Sequence, residues 1–263
     1  MRNHRTWMHP LLVLVLCLTL AGVGAAFATD PTPEELAKAN NPLADIKAVN
    51  FQNYYISKLY GLGDETANTF WVRGVKPTGR VLWRASLPLQ TVPGATESVS
   101  GLGDLNVFGA YLAVQDPKLT FGAGPLLVAP TASKDELGAG KWQLGLAAVA
   151  FAVPSPKLQY GALLTWQASI AGDDDRRDTS VFVTQVFGMW QIGGGTYLRS
   201  APIWVFDLKT GYYNVPFGFG IGKVVKVDKT VFNIFIEPQF TILHNGVGQP
   251  ALQIFTGVNM QFN

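Results

Sequence analysis

The sequence predicts an all-β chain: a transmembrane, antiparallel, up-and-down β-barrel of the outer-membrane type, with about twelve strands and a short N-terminal helical segment. Three observations predict it. From Phe51 onward apolar residues alternate with small or polar ones, the period of a strand. Each predicted strand runs roughly 10 residues or a little longer, enough for a tilted strand to cross a bilayer. The connections alternate between short and long, so that tight turns gather at one end and long loops at the other.

The first element is a leader. Residues 1–28 read as a secretory signal peptide, with Arg2 and Arg5 in front, an apolar run from Leu11 to Ala21, and the small-x-small site Ala26-Phe27-Ala28. Cleavage there leaves a chain with 18 basic and 18 acidic residues and no cysteine, since Cys17 lies in the apolar run. Residues 29–50 form a second segment, periplasmic or plug-like. Within it Thr32-Pro33-Glu34-Glu35 is a capping box with proline at the first helical position, and Asn40-Asn41-Pro42 stops the helix. Such a segment sits below a barrel or folds into its mouth.

Residues 51–263 are the barrel. The clearest strands are Leu158 to Ser169, Phe232 to Ile242 and Leu252 to Phe262; others fall at 51–60, 67–77, 80–90, 104–114, 119–129, 141–153, 179–191, 196–207 and 213–225. Short links stand at Thr78-Gly79, at Gln115 to Lys118, at Pro154 to Lys157, at Ile192 to Gly195 and at Lys226 to Lys229. Tyr160, Trp166, Trp142, Trp190, Trp204 and Phe262 fall near strand ends on the apolar face, as an aromatic girdle does. A soluble sandwich or barrel also alternates, but its polar face meets bulk water. Here that face holds few charges and many Gly, Gln, Asn and Thr, which suits a confined, partly wet interior.

Composition narrows the function classes. Hydrophobic residues make up 48% and charged residues 14%, against about 25% charged in an average soluble domain. That balance excludes a disordered chain. A formal charge of +2 argues against a nucleic-acid partner. No apolar run long enough for a membrane helix follows the N-terminus. The expected partners are outer-membrane lipids and lipopolysaccharide, the barrel-assembly machinery during biogenesis, and a small-molecule solute.

The order of local motifs carries a family resemblance. Asn41-Pro42-Leu43-Ala44-Asp45 leads into Phe51-Gln52-Asn53; Gly101-Leu102-Gly103-Asp104 opens a strand; Gly122-x-Gly124-Pro125 precedes Pro130-Thr131-Ala132. Then come Leu137-Gly138-x-Gly140-Lys141-Trp142, Ala171-Gly172-Asp173-Asp174-Asp175, Tyr197-Leu198 with Ser200-x-Pro202-Ile203, and Val215-Pro216-x-Gly218-x-Gly220-x-Gly222-Lys223. Together these resemble the transporter-like outer-membrane family labelled "MetA-pathway of phenol degradation", over nearly all of the mature chain. The resemblance implies an outer-membrane barrel with a transport role, no established substrate and no catalytic residues. Barrels of this kind usually end on an aromatic; here Asn263 follows Phe262.

Catalytic and metal chemistry find little support. His244, the only histidine after the leader, lies in the turn His244-Asn245-Gly246 and reads as a loop residue. As the base of a lipid hydrolase it would need a serine, and no Gly-x-Ser-x-Gly elbow is present. The glycines before Lys223 do not have phosphate-loop spacing, and Val224 replaces the required hydroxyl. They read as small residues facing a crowded lumen. Asp173-Asp174-Asp175-Arg176-Arg177-Asp178 reads as a solvated loop; a Ca²⁺ or lipopolysaccharide-bridging site is the sharper alternative, without EF-hand spacing. No cofactor and no metal are expected, and the chain is not read as an enzyme.

The alternation places Arg73, Arg84, Asp104, Asn106, Gln143, Gln159, Thr165, Gln167, Gln185, Arg199, Asn233, Glu237, Gln239, Gln253 and Asn259 inside, with Leu126, Leu163, Phe187, Phe235 and Phe255. This lining suits small uncharged or amphipathic solutes, aromatic ones included. Arg73, Arg84 and Glu237 are expected to set the field. Counting outward from Thr78-Gly79 puts Arg73 and Arg84 at one depth on adjacent strands. The expected function is passive uptake of small molecules through the lumen. The alternatives are a closed structural or surface-interaction barrel working through its loops, and the hydrolase.

Overall fold

The computed structural model describes residues 32–262, so the expected leader and Asn263 lie outside the described residues. The chain forms one closed antiparallel sheet. Its segments are β1 (Lys47–Leu59), β2 (Ala67–Thr78), β3 (Val81–Val92), β4 (Val99–Leu102), β5 (Leu105–Asp116), β6 (Leu119–Ala129), β7 (Lys141–Ser155) and β8 (Leu158–Gly172). They continue as β9 (Ser180–Gly193), β10 (Thr196–Ser200), β11 (Ile203–Asp207), β12 (Tyr213–Gly218), β13 (Gly220–Val227), β14 (Thr230–Asn245) and β15 (Pro250–Phe262).

These segments make twelve staves, because three staves are each broken once. β4 and β5 both pair with β3, one on each half of it, on either side of Gly103-Asp104. β10 and β11 both pair with β9, interrupted at Ala201-Pro202. β12 and β13 both pair with β14, interrupted at Phe219. Proline has no N–H to give to a ladder, which explains the break at Pro202. β15 closes the barrel on β1, from Lys47↔Phe262 to Leu59↔Pro250. β1 starts at Lys47, so the last residues of the segment expected to precede the barrel belong to its first strand.

The tight turns and the long loops lie at opposite ends, as the spacing predicts. One expected turn is corrected. The β2–β3 hairpin turns at Gly79-Arg80, because Thr78 pairs with Val81. Gly79 has φ +59°, the positive angle a two-residue hairpin of this kind requires at its first position. The register therefore shifts from the expected one: Arg73 faces Ser86 and Arg84 faces Val75. The arginines share the inner face as diagonal neighbours instead of a directly opposed pair.

Large apolar side chains cover the outer wall. Leu146, Leu164 and Ile236 are exposed there, with Trp142 and Trp166 toward the long-loop end and Tyr160, Trp190 and Phe262 toward the short-turn end. Trp204 is half-buried on the same wall and donates its Nε1 hydrogen to the carbonyl of Pro216, 3.0 Å. Among the described residues no helix is long and apolar enough to cross a membrane.

Among the described residues the one α-helix, α1 (Pro33–Asn40), lies inside the barrel at the short-turn end. Its capping box is formed: Thr32 N donates to Glu35 Oε2 at 2.9 Å, and Glu35 N donates to Thr32 Oγ1 at 3.2 Å. Leu36 and Ala39 pack on Phe151, Phe187 and Tyr197. Leu43, just after the helix, packs on Leu82, Leu112 and Val149. All these partners face inward, so the apolar core is built between the plug and the wall.

Candidate functional site

The lumen is lined in rows that run across the strands. One row reads Arg199, Gly220, Glu237, Phe255, Tyr54. Gly220 stands between Arg199 and Glu237 and has no side chain, so the two meet over it; a Cβ there would lie 2.7 Å from the Glu237 Cα. Arg199 Nε donates to Glu237 Oε2 at 2.7 Å. Glu237 Oε1 accepts from Ala201 N at 2.9 Å and from Gln239 Nε2 at 2.8 Å. Gln253 Nε2 extends the chain to Gln239 Oε1 at 2.7 Å. The guanidinium also lies 3.6 Å above the Phe235 ring, and Phe255 stacks on Tyr54 at 4.1 Å. The break at Ala201 frees the backbone N–H that Glu237 uses.

The next row toward the short turns is Tyr197, Gly222, Phe235, Gly257, Gln52 and Trp71. Below it comes a row of amides, Asn233, Asn259 and Asn50, continuing into Arg73, Ser86 and Asn106. Arg73 donates Nη1 to Gln52 Oε1, and Gln52 donates Nε2 to Asn259 Oδ1 at 2.9 Å. The Arg73 guanidinium stands 4.6 Å from the Trp71 ring, and its Nε has no hydrogen-bond partner. Arg84 lies one row further on. Its Nε donates to Ser86 Oγ at 3.4 Å, and its guanidinium faces the Phe108 ring at 5.5 Å. Among the described residues neither Arg73 nor Arg84 makes an ion pair.

The plug is tied to this wall by amides. Asn40 Nδ2 donates to Gln159 Oε1 at 3.0 Å, and Asn233 Nδ2 donates to the Ala39 carbonyl at 3.0 Å and to Asn40 Oδ1 at 2.9 Å. Gln261 Nε2 donates to the Lys38 carbonyl at 3.0 Å. At the helix start Lys226 Nζ and Glu35 Oε1 pair at 2.6 Å. That hydrogen bond holds the Glu35 carboxyl below its ordinary value. A cavity of about 130 Å³ remains between residues 39–46 and the wall. Arg73, Arg84, Gln185, Arg199, Asn233 and Asn259 line it, with Asn50, Gln52, Phe187, Phe235 and Phe255.

Gln185, in the cavity lining, donates Nε2 to the Ala201 carbonyl at 3.1 Å. Other expected lumen residues stand elsewhere on the inner face. Gln143 is buried and Gln167 half-buried on β7 and β8, outside the cavity lining. Asp104 is held by backbone N–H groups of the following loop. Its Oδ1 accepts from Ala132 N at 3.1 Å and its Oδ2 from Ala139 N at 2.8 Å. It anchors the 130–140 loop, whose Leu137 is buried against the inner side of Gly101. The long-loop mouth is thus narrowed by an inward-folded loop. Glu237 pairs with Arg199, and not with Arg73 or Arg84, among the described residues.

The remaining motifs have structural placements. His244 stacks on Tyr60 at 3.5 Å between two long loops. In the acidic loop Asp178 faces Lys141 at 3.8 Å, and Arg177 pairs with Asp207 at 3.3 Å. Among the described residues no three metal-donor side chains group together.

The sequence reading missed Asn50, Gln52, Tyr54 and Trp71 as lining. Asn50-Phe51-Gln52-Asn53-Tyr54 carries the alternation that assigns the first three, with Phe51 outward, and Trp71 shares the face of Arg73 two residues on.

The fold has solved relatives. The chain is similar to the COG4313 outer membrane channel from Pseudomonas putida F1, with 16% identity over 82% of this chain and 94% of that one, and a TM-score of 0.61. It is also similar to the NanC porin, with 12% identity over 82% of this chain and 99% of that one, and a TM-score of 0.52. No family model matches the chain and no curated protein matches it in sequence.

Proposed function

We propose that this barrel is an outer-membrane channel for small molecules, occluded in the described state by its own N-terminal segment. The carrying observation is the cavity between plug and wall. It is lined by three arginines and by amides that replace lost water, with aromatic faces among them. The outer wall supports a bilayer location, because it is apolar between two belts of aromatic side chains. The neighbours of like fold are an outer membrane channel and a porin. The plug is held by the apolar contacts of Leu36, Ala39 and Leu43 and by side-chain amide hydrogen bonds and one ion pair, and water can replace the polar part of these when the segment shifts. Passage is then diffusion down a gradient, past the inward-folded 130–140 loop and along the Arg73–Arg84 wall.

The occluding helix also fits a second reading, a closed barrel acting through its long loops. Planar-bilayer recording and liposome swelling with the purified full chain separate the two. Discrete conductance steps and uptake of small solutes support the channel. A folded barrel that is silent in both assays supports the closed barrel.

A further inference from the structure

The structure assigns a binding site for a small organic monocarboxylate to the Arg73–Arg84 wall of the lumen; the inference rests on the channel reading and names the solute class. The cavity is lined by three guanidinium groups and, among the described residues, by no acid; Glu237 is spent on Arg199. A guanidinium does not lose its proton in a protein. Two fixed positive charges, diagonal neighbours on adjacent strands, Arg73 buried and Arg84 half-buried, therefore face one small space without a counter-charge among the described residues.

The surroundings position these groups without neutralising them. Gln52 holds Arg73 from one side and Ser86 holds Arg84, and an amide and a hydroxyl bring no charge. Arg73 is 7% exposed and its Nε is left with no acceptor. A wall that only had to be closed would place an acid here, as it does at Arg199. Oriented, desolvated and unpaired donors are instead what a carboxylate needs, since its two oxygens accept from a guanidinium fork. Among the amides of the cavity wall Phe187, Phe235 and Phe255 present apolar faces, against which a hydrocarbon body packs. A bare inorganic anion leaves those faces unused, and a neutral analogue leaves the arginines unpaired.

Ser86 supplies the sharpest test. It faces Arg73 across the ladder and touches Arg84, so Ser86→Asp places a fixed carboxylate where the ligand's belongs. Isothermal titration calorimetry on the full chain in detergent, with benzoate, benzamide and inorganic phosphate as probes, reads the outcome. Benzoate is expected to bind one to one, with benzamide and phosphate each at least tenfold weaker. Ser86→Asp and the double variant Arg73→Gln/Arg84→Gln are each expected to weaken benzoate at least tenfold while remaining folded by heat-modifiable migration. Equal binding of benzoate and benzamide, equal binding of phosphate, or no benzoate binding by the folded parent overturns the site. Conductance of the same preparation keeps the two readings apart. Binding without conductance removes the channel and leaves the site; conductance without binding removes the site and leaves the channel.

Discussion

Arg199 and Arg73 are almost equally hidden, 6% and 7% exposed, yet their environments differ. Around Arg199 every partner converges. A carboxylate sits at 2.7 Å, its second oxygen is filled by a backbone N–H and an amide, and a glycine leaves the space for the contact. Around Arg73 the partners are neutral and one donor is empty. The first arrangement is a brace, with its charge cancelled inside the wall. The second keeps its charge for whatever enters the cavity. Burial alone therefore does not say what a luminal arginine does; the charge of its partners does.

Removing the acid from the brace has the largest expected effect. Glu237→Gln leaves Arg199 buried and unpaired, and breaking a buried pair in this way costs about 3–5 kcal/mol. The heat-modifiable, folded fraction should fall sharply. An unchanged fraction would make the two arginine sites equivalent.

A third environment sharpens the contrast. Ile236, next to Glu237, points outward. Ile236→Arg puts a guanidinium into lipid with neither brace nor ligand, at about 2–4 kcal/mol near the bilayer midplane. Folded yield should drop, measured by refolding into vesicles. Insensitivity to this change would mean that inner and outer faces are exchanged, since a one-residue slip reverses every side chain.

Converting the open pair into a brace should act on selectivity instead of folding. Ser86→Asp brings a carboxylate to both arginines. Anion preference in bilayer recordings should disappear, while folded yield holds or rises because the like charges are compensated.

The smallest effect concerns the plug latch. Lys226 holds the Glu35 carboxyl below its ordinary value of 4.5. The folded-state pKa is lowered, so the contribution is fully present above the ordinary carboxylate range and is lost as the pH falls through the depressed value. Acidification through that window should raise open-state noise in single-channel traces, and Glu35→Gln should show the same noise at neutral pH. The pair is partly solvated, so a change of less than about 1 kcal/mol is expected.

How much of this was legible in the sequence follows from the range of each interaction. Strand period and turn length are local, and they placed the twelve staves and the inner face, including Arg73, Arg84, Arg199 and Glu237. The partner of Glu237 was not legible. Arg199 and Glu237 lie on β10 and β14, separated by β13, and meet because Gly220 lies between them in register. The Gly218-x-Gly220-x-Gly222 run signalled crowding without saying which side chains fill it. The partners of Asp104, Ala132 and Ala139, were not legible either, because they come from another loop. The Arg73–Arg84 register was off because the hairpin turns one residue later than Thr78-Gly79 suggested. The helix was legible from its capping box, whereas its seat inside the lumen depends on Gln159, Asn233 and Gln261, far along the chain.

The central claim, that Arg73 and Arg84 hold their charge open for an entering anion, is tested most directly by the reversal potential across a planar bilayer under a KCl gradient. The account predicts a clear anion preference for the parent channel and its loss in Arg73→Gln/Arg84→Gln, with conductance and folded yield retained. A reversal potential that is the same in parent and double variant would contradict it.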